Sequence, residues 1–448
     1  MRKEHITLEV QDLLKQYAAH PQVAALNTLL KSETSRNIFL KGLNGSGAAM
    51  TIASLFSKRR GSYVCVLNDL EEAGYFYHDL VQLTGGDGIY FFPSAYRRAI
   101  KYGHVDPANE ILRTEVLSTL QDPDIPFVIV TYPDALAEKV ISREVLKENT
   151  LKISVGEKLD NMFVSDVLDE YGFEQVDYVY EPGQYALRGS ILDVFSFSYE
   201  FPYRIDFFGN EVETIRSFDV ETQLSKEKLD SIYIVPEMTR GNRTNSSLLD
   251  SLPPATLLAF KDLAWVKERI GSIWNEEPVV GDEDSFADAE QMRTKLVTGE
   301  DFLHAALGFR RLHFGARPTG TADATLTFAT EVQPIYHKNF DLVSESFHKY
   351  IEDGYTLYIL SDVEKQAARI RAIFEDRGDD LPFTSVNKTI HEGFADETLR
   401  ICLFTDHQLF DRFHKFNLKS DKARSGKLSL SLKELNQFTT GDYIVHID

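Results

Sequence analysis

The chain of 448 residues has only two cysteines, Cys65 and Cys402, each set in an apolar, strand-like run. They exclude a cysteine-built zinc site and read as buried free thiols. Long hydrophobic runs are also missing, since no apolar stretch approaches the roughly 18 residues of a membrane helix. The first residues, Met1-Arg-Lys-Glu-His-Ile-Thr-Leu-Glu-Val-Gln-Asp-Leu-Leu14, lack the apolar core of a secretion signal and read as an amphipathic helix. A cytoplasmic chain with no membrane partner is expected. Positive charge is scarce: 48 Lys and Arg against 69 Asp and Glu leave a net charge of −21. That balance opposes nonspecific nucleic-acid binding, which needs clustered cations to release counterions. Internal repeats, low-complexity tracts, a Gly-x-Ser-x-Gly nucleophile elbow and a paired-carboxylate site are absent too, so no catalytic residue is assigned. What remains is ordinary globular composition, 43% hydrophobic and 26% charged, long enough for about three domains.

Apolar runs at 37–42, 62–67, 88–93 and 126–131 alternate with helical patterns at 48–57, 70–83 and 107–120. Such alternation predicts a doubly wound parallel sheet. From about residue 140 the pattern turns β-rich, with strands at 185–195 and 203–208 and a Gly209-Asn210 turn closing a hairpin into 211–218. A polar stretch at 239–247 has linker composition. Strands at 255–260 and 324–328 follow, separated by helical sequence and an acidic run near 276–290. A last α/β unit begins near 335, with strands at 355–360 and 399–404 around a helix at 363–377. Residues 441–448 form a final strand-like run, which reads as the opening of a further domain.

Gly42-Leu-Asn-Gly45-Ser-Gly47-Ala48-Ala49 lies between a strand and a helix and has the spacing of a phosphate-binding loop. In that motif backbone N–H groups cradle phosphate, a Lys reaches the outer phosphates and a Ser or Thr holds Mg²⁺. Here those two positions are Ala48 and Ala49. Lys261, followed by Asp262, stands after the 255–260 run where an acidic metal ligand would be needed. The paired loss reads as a phosphate loop that keeps its turn without its chemistry; weak anion binding and an atypical active nucleotide site are the alternatives. No cofactor is expected.

The stretch Tyr178-Val-Tyr-Glu-Pro-Gly-Gln-Tyr-Ala-Leu-Arg188-Gly-Ser-Ile-Leu-Asp193-Val-Phe195, with Pro202-Tyr-Arg-Ile-Asp-Phe-Phe208 and Ile215-Arg-Ser-Phe-Asp219, resembles the N-terminal region of bacterial transcription-repair coupling factors, itself similar to excinuclease B. The resemblance implies an α/β fold in which a degenerate P-loop helicase-like domain (1–138 and 236–332) is interrupted by a β-rich inserted domain (139–235). A small α/β domain (333–440) follows, and 441–448 begin a polymerase-interacting domain. It implies a recruitment module that binds excinuclease A and has no ATPase of its own. ATP turnover, RNA polymerase and DNA would belong to domains beyond this sequence. The alternative is a nucleotide-dependent DNA-remodelling or DNA-binding protein.

Read as one strand, 185–195 places Arg188 and Leu192 on one face and Phe195 on the other. Arg188 is the expected partner anchor, with Leu192 and Phe195 as contact or core; a structural ion pair of Arg188 with Asp193, Asp206 or Glu211 is the competing reading. Excinuclease B carries a second arginine where this chain has Ala186. Two weaker signals remain. Tyr96-Arg97-Arg98-Ala-Ile-Lys101-Tyr102-Gly-His104 interleaves basic and aromatic residues as single-strand binders do, and His407, Asp411 and His414 share the spacing of one helical face. A solvated loop and scattered surface side chains account for them, and no metal is expected.

Overall fold

The short apolar runs become a seven-stranded, wholly parallel sheet. In spatial order its strands are Ala324–Thr327, Asn37–Lys41, Arg310–His313, Leu257–Phe260, Ser62–Val66, Phe127–Thr131 and Ile89–Phe92. The computed structural model describes residues 7–32, 35–95, 107–236, 244–276, 293–379, 381–416 and 418. Leu257–Phe260 and Phe127–Thr131 are buried along their whole length, as strands covered on both faces must be. Helix starts follow from short polar caps: Asp69 accepts from the Glu72 N–H to open Leu70–Thr84, and Gly85, left-handed at φ 85°, closes it. The chain leaves this sheet after Phe127–Thr131 and re-enters it at Leu257–Phe260, so the β-rich segment lies between two parts of one sheet.

A second sheet orders Thr7–Leu8, Thr384–Val386, Thr356–Leu360, Ile401–Thr405, Phe394–Asp396 and Thr330–Val332. It falls in the same compact unit as the first sheet. Its core packs Phe347 against Phe404, the rings tilted with centroids 4.4 Å apart, and encloses Cys402. Thr7–Leu8 pairs with Ser385 and Val386, so the amphipathic helix expected from residue 1 begins only at Val10. Both cysteines are buried free thiols.

The other compact unit comprises residues 107–118 and 141–236 where described. Its six-stranded sheet runs Ser225–Leu229, Glu211–Phe218, Tyr203–Phe208, Ile191–Val194, Gln184–Arg188 and Glu174–Gln175, antiparallel except for the last pair. One face of this sheet packs Tyr185, Leu192, Val194 and Ile205 on Val164 and Leu168 of the helix Asn161–Glu170 and on Ile153 and Ile232 of a two-stranded ribbon. Burying such aliphatic side chains contributes about 1.5–3 kcal/mol each before the entropy of ordering them. Among the described residues no helix is long and apolar enough to cross a membrane.

Candidate functional site

The 185–195 segment is a hairpin, not one strand. Arg188 pairs with Ile191 across a two-residue turn in which Gly189 takes φ 63°, a conformation glycine adopts at no steric cost. Residues opposite one another share a face, so the turn changes the parity of the pattern. Ala186, Arg188, Ile191 and Asp193 now lie together, and Leu187, Leu192 and Val194 face the other way. Leu192 therefore leaves the face of Arg188 and is fully buried in the core. Phe195 is also buried, packed with Ala186, Phe218 and Ile111. Both take the core reading of the two that were open, which leaves Arg188 as the exposed candidate. The position of Ala186 in that apolar cluster gives a physical reason for a small residue, because a guanidinium there would be buried among aromatic rings.

Arg188 keeps 36% of its side chain exposed while bonding Asp193, whose side chain is fully buried. Of the three ion-pair partners weighed, Asp193 is the one found. Arg204 grips the same carboxylate through Nε at 2.7 Å and Nη2 at 2.8 Å, and its guanidinium covers the Phe218 ring at 4.3 Å. Those hydrogen bonds to Asp193 raise the Arg204 pKa further. Two guanidiniums thus share one buried carboxylate. Arg188 also donates from Nη1 to the Asp177 carbonyl at 2.8 Å and lies 5.0 Å from the Tyr178 ring, so its fork is held in place. Along Tyr203–Phe208 the even positions share this face: Arg204 and Asp206 are half-buried, and Phe208 is 80% exposed while Phe207 enters the core. Arg204 and Phe208 were not singled out from sequence. Strand alternation next to the Gly209-Asn210 turn was the available signal.

The Gly-rich loop lies at the carboxyl end of Asn37–Lys41, where open α/β sheets place ligands. Gly42 and Gly45 have φ 84° and 52°. Gly47, Ala48 and Ala49 open the helix Gly47–Lys58, with Ala49 buried. Two of the loop donors are taken within the chain: Asn44 N–H donates to Thr330 Oγ1 at 2.7 Å and Ser46 N–H to the Glu392 carbonyl at 3.0 Å. Lys261, at the end of a strand in the same sheet, pairs with Glu72 at 2.7 Å. Asp262 accepts from the Trp265 N–H at 3.0 Å and caps Leu263–Asn275. It serves its helix, and Lys261 offers a cation where a metal ligand would be required.

A family model described as the UvrB interaction domain matches residues 151–239, the span that holds the Arg188 hairpin. A transcription-repair-coupling factor of Staphylococcus aureus is 21% identical over 494 aligned positions, covering 92% of this chain and 41% of that protein. The chain is similar to a stretch of these transcription-repair-coupling factors. The Bacillus subtilis factor is 21% identical, with 91% of this chain and 41% of the relative covered. The Escherichia coli factor is 28% identical over 195 residues, covering 43% of this chain and 17% of its own length. The chain thus spans about two fifths of the length of the coupling factors that match it throughout.

The basic and aromatic run at 96–104 lies outside the described residues, as do 441–448, 277–292 and the start of the polar stretch at 239–243. His407, Asp411 and His414 do not form one helical face, because the helix Asp406–Leu409 ends before Asp411. The His407 ring stacks on His414 at 4.3 Å, and Asp411 pairs with His337 at 3.6 Å. Among the described residues no group of three His, Cys, Asp or Glu is arranged to hold a metal.

Proposed function

We propose that the inserted sheet domain is a docking module that captures excinuclease A and so links transcription to nucleotide excision repair, carried on an α/β scaffold that does not turn over ATP. One observation carries this reading. A sheet with a fully packed core on one face presents on the other a fixed, partly exposed Arg188, a second guanidinium on the same carboxylate, and an aromatic ring, Phe208, left in water. Arginine and aromatic side chains dominate binding energy at protein interfaces. The match of the UvrB interaction domain to residues 151–239 supports the same surface. The degenerate helicase-like reading of the parallel sheet is supported by Ala48, Ala49 and Lys261 and by the internal use of the loop donors. Nucleotide-dependent remodelling would need those donors free.

Titration of excinuclease A with the 448-residue chain tests the proposal. Saturable binding is expected, weakened about 10-fold or more by Arg188→Ala and by Phe208→Ala with circular dichroism unchanged. Absence of binding, or binding indifferent to both substitutions, would sink it.

A further inference from the structure

We propose that residues 391–393 are a built-in occupant of the Gly-rich loop, their main chain filling the place of a phosphate and fastening the second sheet to that loop. All five N–H and C=O groups from His391 N to Gly393 N have partners. His391 N–H donates to Asp79 Oδ1 at 2.6 Å, and the His391 carbonyl accepts from His407 Nε2 at 2.8 Å. Glu392 is held twice by one residue: its N–H donates to Ser46 Oγ at 3.0 Å, and its carbonyl accepts the Ser46 N–H at 3.0 Å. Gly393 N–H donates to Gln408 Oε1 at 2.8 Å. The Tyr75 ring stacks on His391 with centroids 3.6 Å apart.

Ser46 is the N-cap residue of Gly47–Lys58, a twelve-residue helix, and its N–H is among the donors that a phosphate oxygen would take in such a loop. A carbonyl oxygen satisfies that donor and meets the positive end of the helix dipole without bringing a net charge. No cation is then needed at position 48 and no metal ligand at 49. The fit is close enough to specify glycine: a Cβ on Gly45 would stand 2.9 Å from the Gly393 carbonyl oxygen and 3.2 Å from that of Glu392, at a φ of 52°. Thr330 closes the near side, accepting from Asn44 N–H and donating to the Gly42 carbonyl at 2.8 Å. The proposal gives the segment beyond residue 330 a task separate from the docking face.

Amide hydrogen exchange on the 448-residue chain, with Mg-ATP titration as a second arm, tests this. The Asn44 and Ser46 amides should exchange at least about 100-fold more slowly than unstructured peptide. Thr330→Val should accelerate Asn44 selectively, and Ser46→Ala should accelerate position 46 by about tenfold. The half-exposed Ala48→Lys should restore the missing charge yet gain no Mg-ATP affinity. Free exchange at Ser46 in the unaltered chain would overturn the proposal, as would Mg-ATP binding by Ala48→Lys while the Ser46 amide stays protected. Neither arm involves excinuclease A, so a failure here leaves the docking reading standing.

Discussion

The Gly-rich loop and the Arg188 face each gather polar groups at a sheet, and they differ in where those groups end. At the loop, the Asn44 and Ser46 amides and the Lys261 ammonium all bond within the chain. On the Arg188 face the carboxylate is buried, but Arg188 and Phe208 remain in water. The loop keeps the shape of a binding motif with the Asn44 and Ser46 donors bonded inside the chain; the other surface has no catalytic motif and leaves Arg188 partly, and Phe208 largely, exposed. Side-chain exposure, more than motif shape, separates the two regions.

The sharpest way to break the contrast is at Asp193. Asp193→Asn should destabilise the inserted domain by about 3–5 kcal/mol, since two guanidiniums lose a buried counter-ion. Arg188→Ala should cost only about 1 kcal/mol, because Asp193 keeps its two bonds to Arg204. Urea titration of both variants reads the difference, and equal losses would mean that Arg188 is as structural as Asp193. Next in size is Gly45→Ala, expected to cost about 2 kcal/mol from left-handed backbone strain, with added crowding against Gly393. The matching change at an open turn, Gly209→Ala, has no neighbour within 4 Å and should cost only the backbone strain. Thermal melting orders the pair.

The smallest effect is a pH slope at the seat of residues 391–393. Burial pushes the Asp79 pKa up to about 7 and holds His391 and His407 down at about 4. For the histidines the unfolded chain binds more protons between pH 4 and 6.5, so their contribution is lost as pH falls through that window. Asp79 acts oppositely: the folded chain binds more protons between 3.8 and 7, and stability falls as pH rises there. Two histidines against one aspartate predict net weakening on acidification. Asp79→Asn should steepen it, measured as urea midpoints at pH 7 and pH 5; a shallower slope in the variant would contradict the assignment.

Much of the parallel sheet was legible in the sequence. Asn37–Lys41, Ser62–Val66, Phe127–Thr131 and Leu257–Phe260 are apolar runs with clear boundaries. Arg310–His313 was not, although it sits between two of them. Its two arginines hide the pattern, because Arg310 reaches the Leu29, Leu30, Ser32 and Ser35 carbonyls and Arg311 those of Ala306, Leu307 and Phe309. The hairpin was hidden because Gly189-Ser190 continues an alternation that the chain reverses in space. The ion pair of Arg188 with Asp193 could be read from sequence as one of two alternatives. Phe208 could not be told from Phe207 without knowing which face was covered. The Glu392 partner of Ser46 lies 346 residues along the chain, beyond any local signal.

The Glu392 carbonyl also bears on how such a loop could change over generations. A side chain that blocked the cradle could be trimmed by one codon, but a main-chain oxygen is carried by every amino acid at that position. If residues 391–393 occupy the loop as proposed, admitting a nucleotide would demand rerouting the backbone as well as new residues at 48, 49 and 261, a barrier that works as a ratchet.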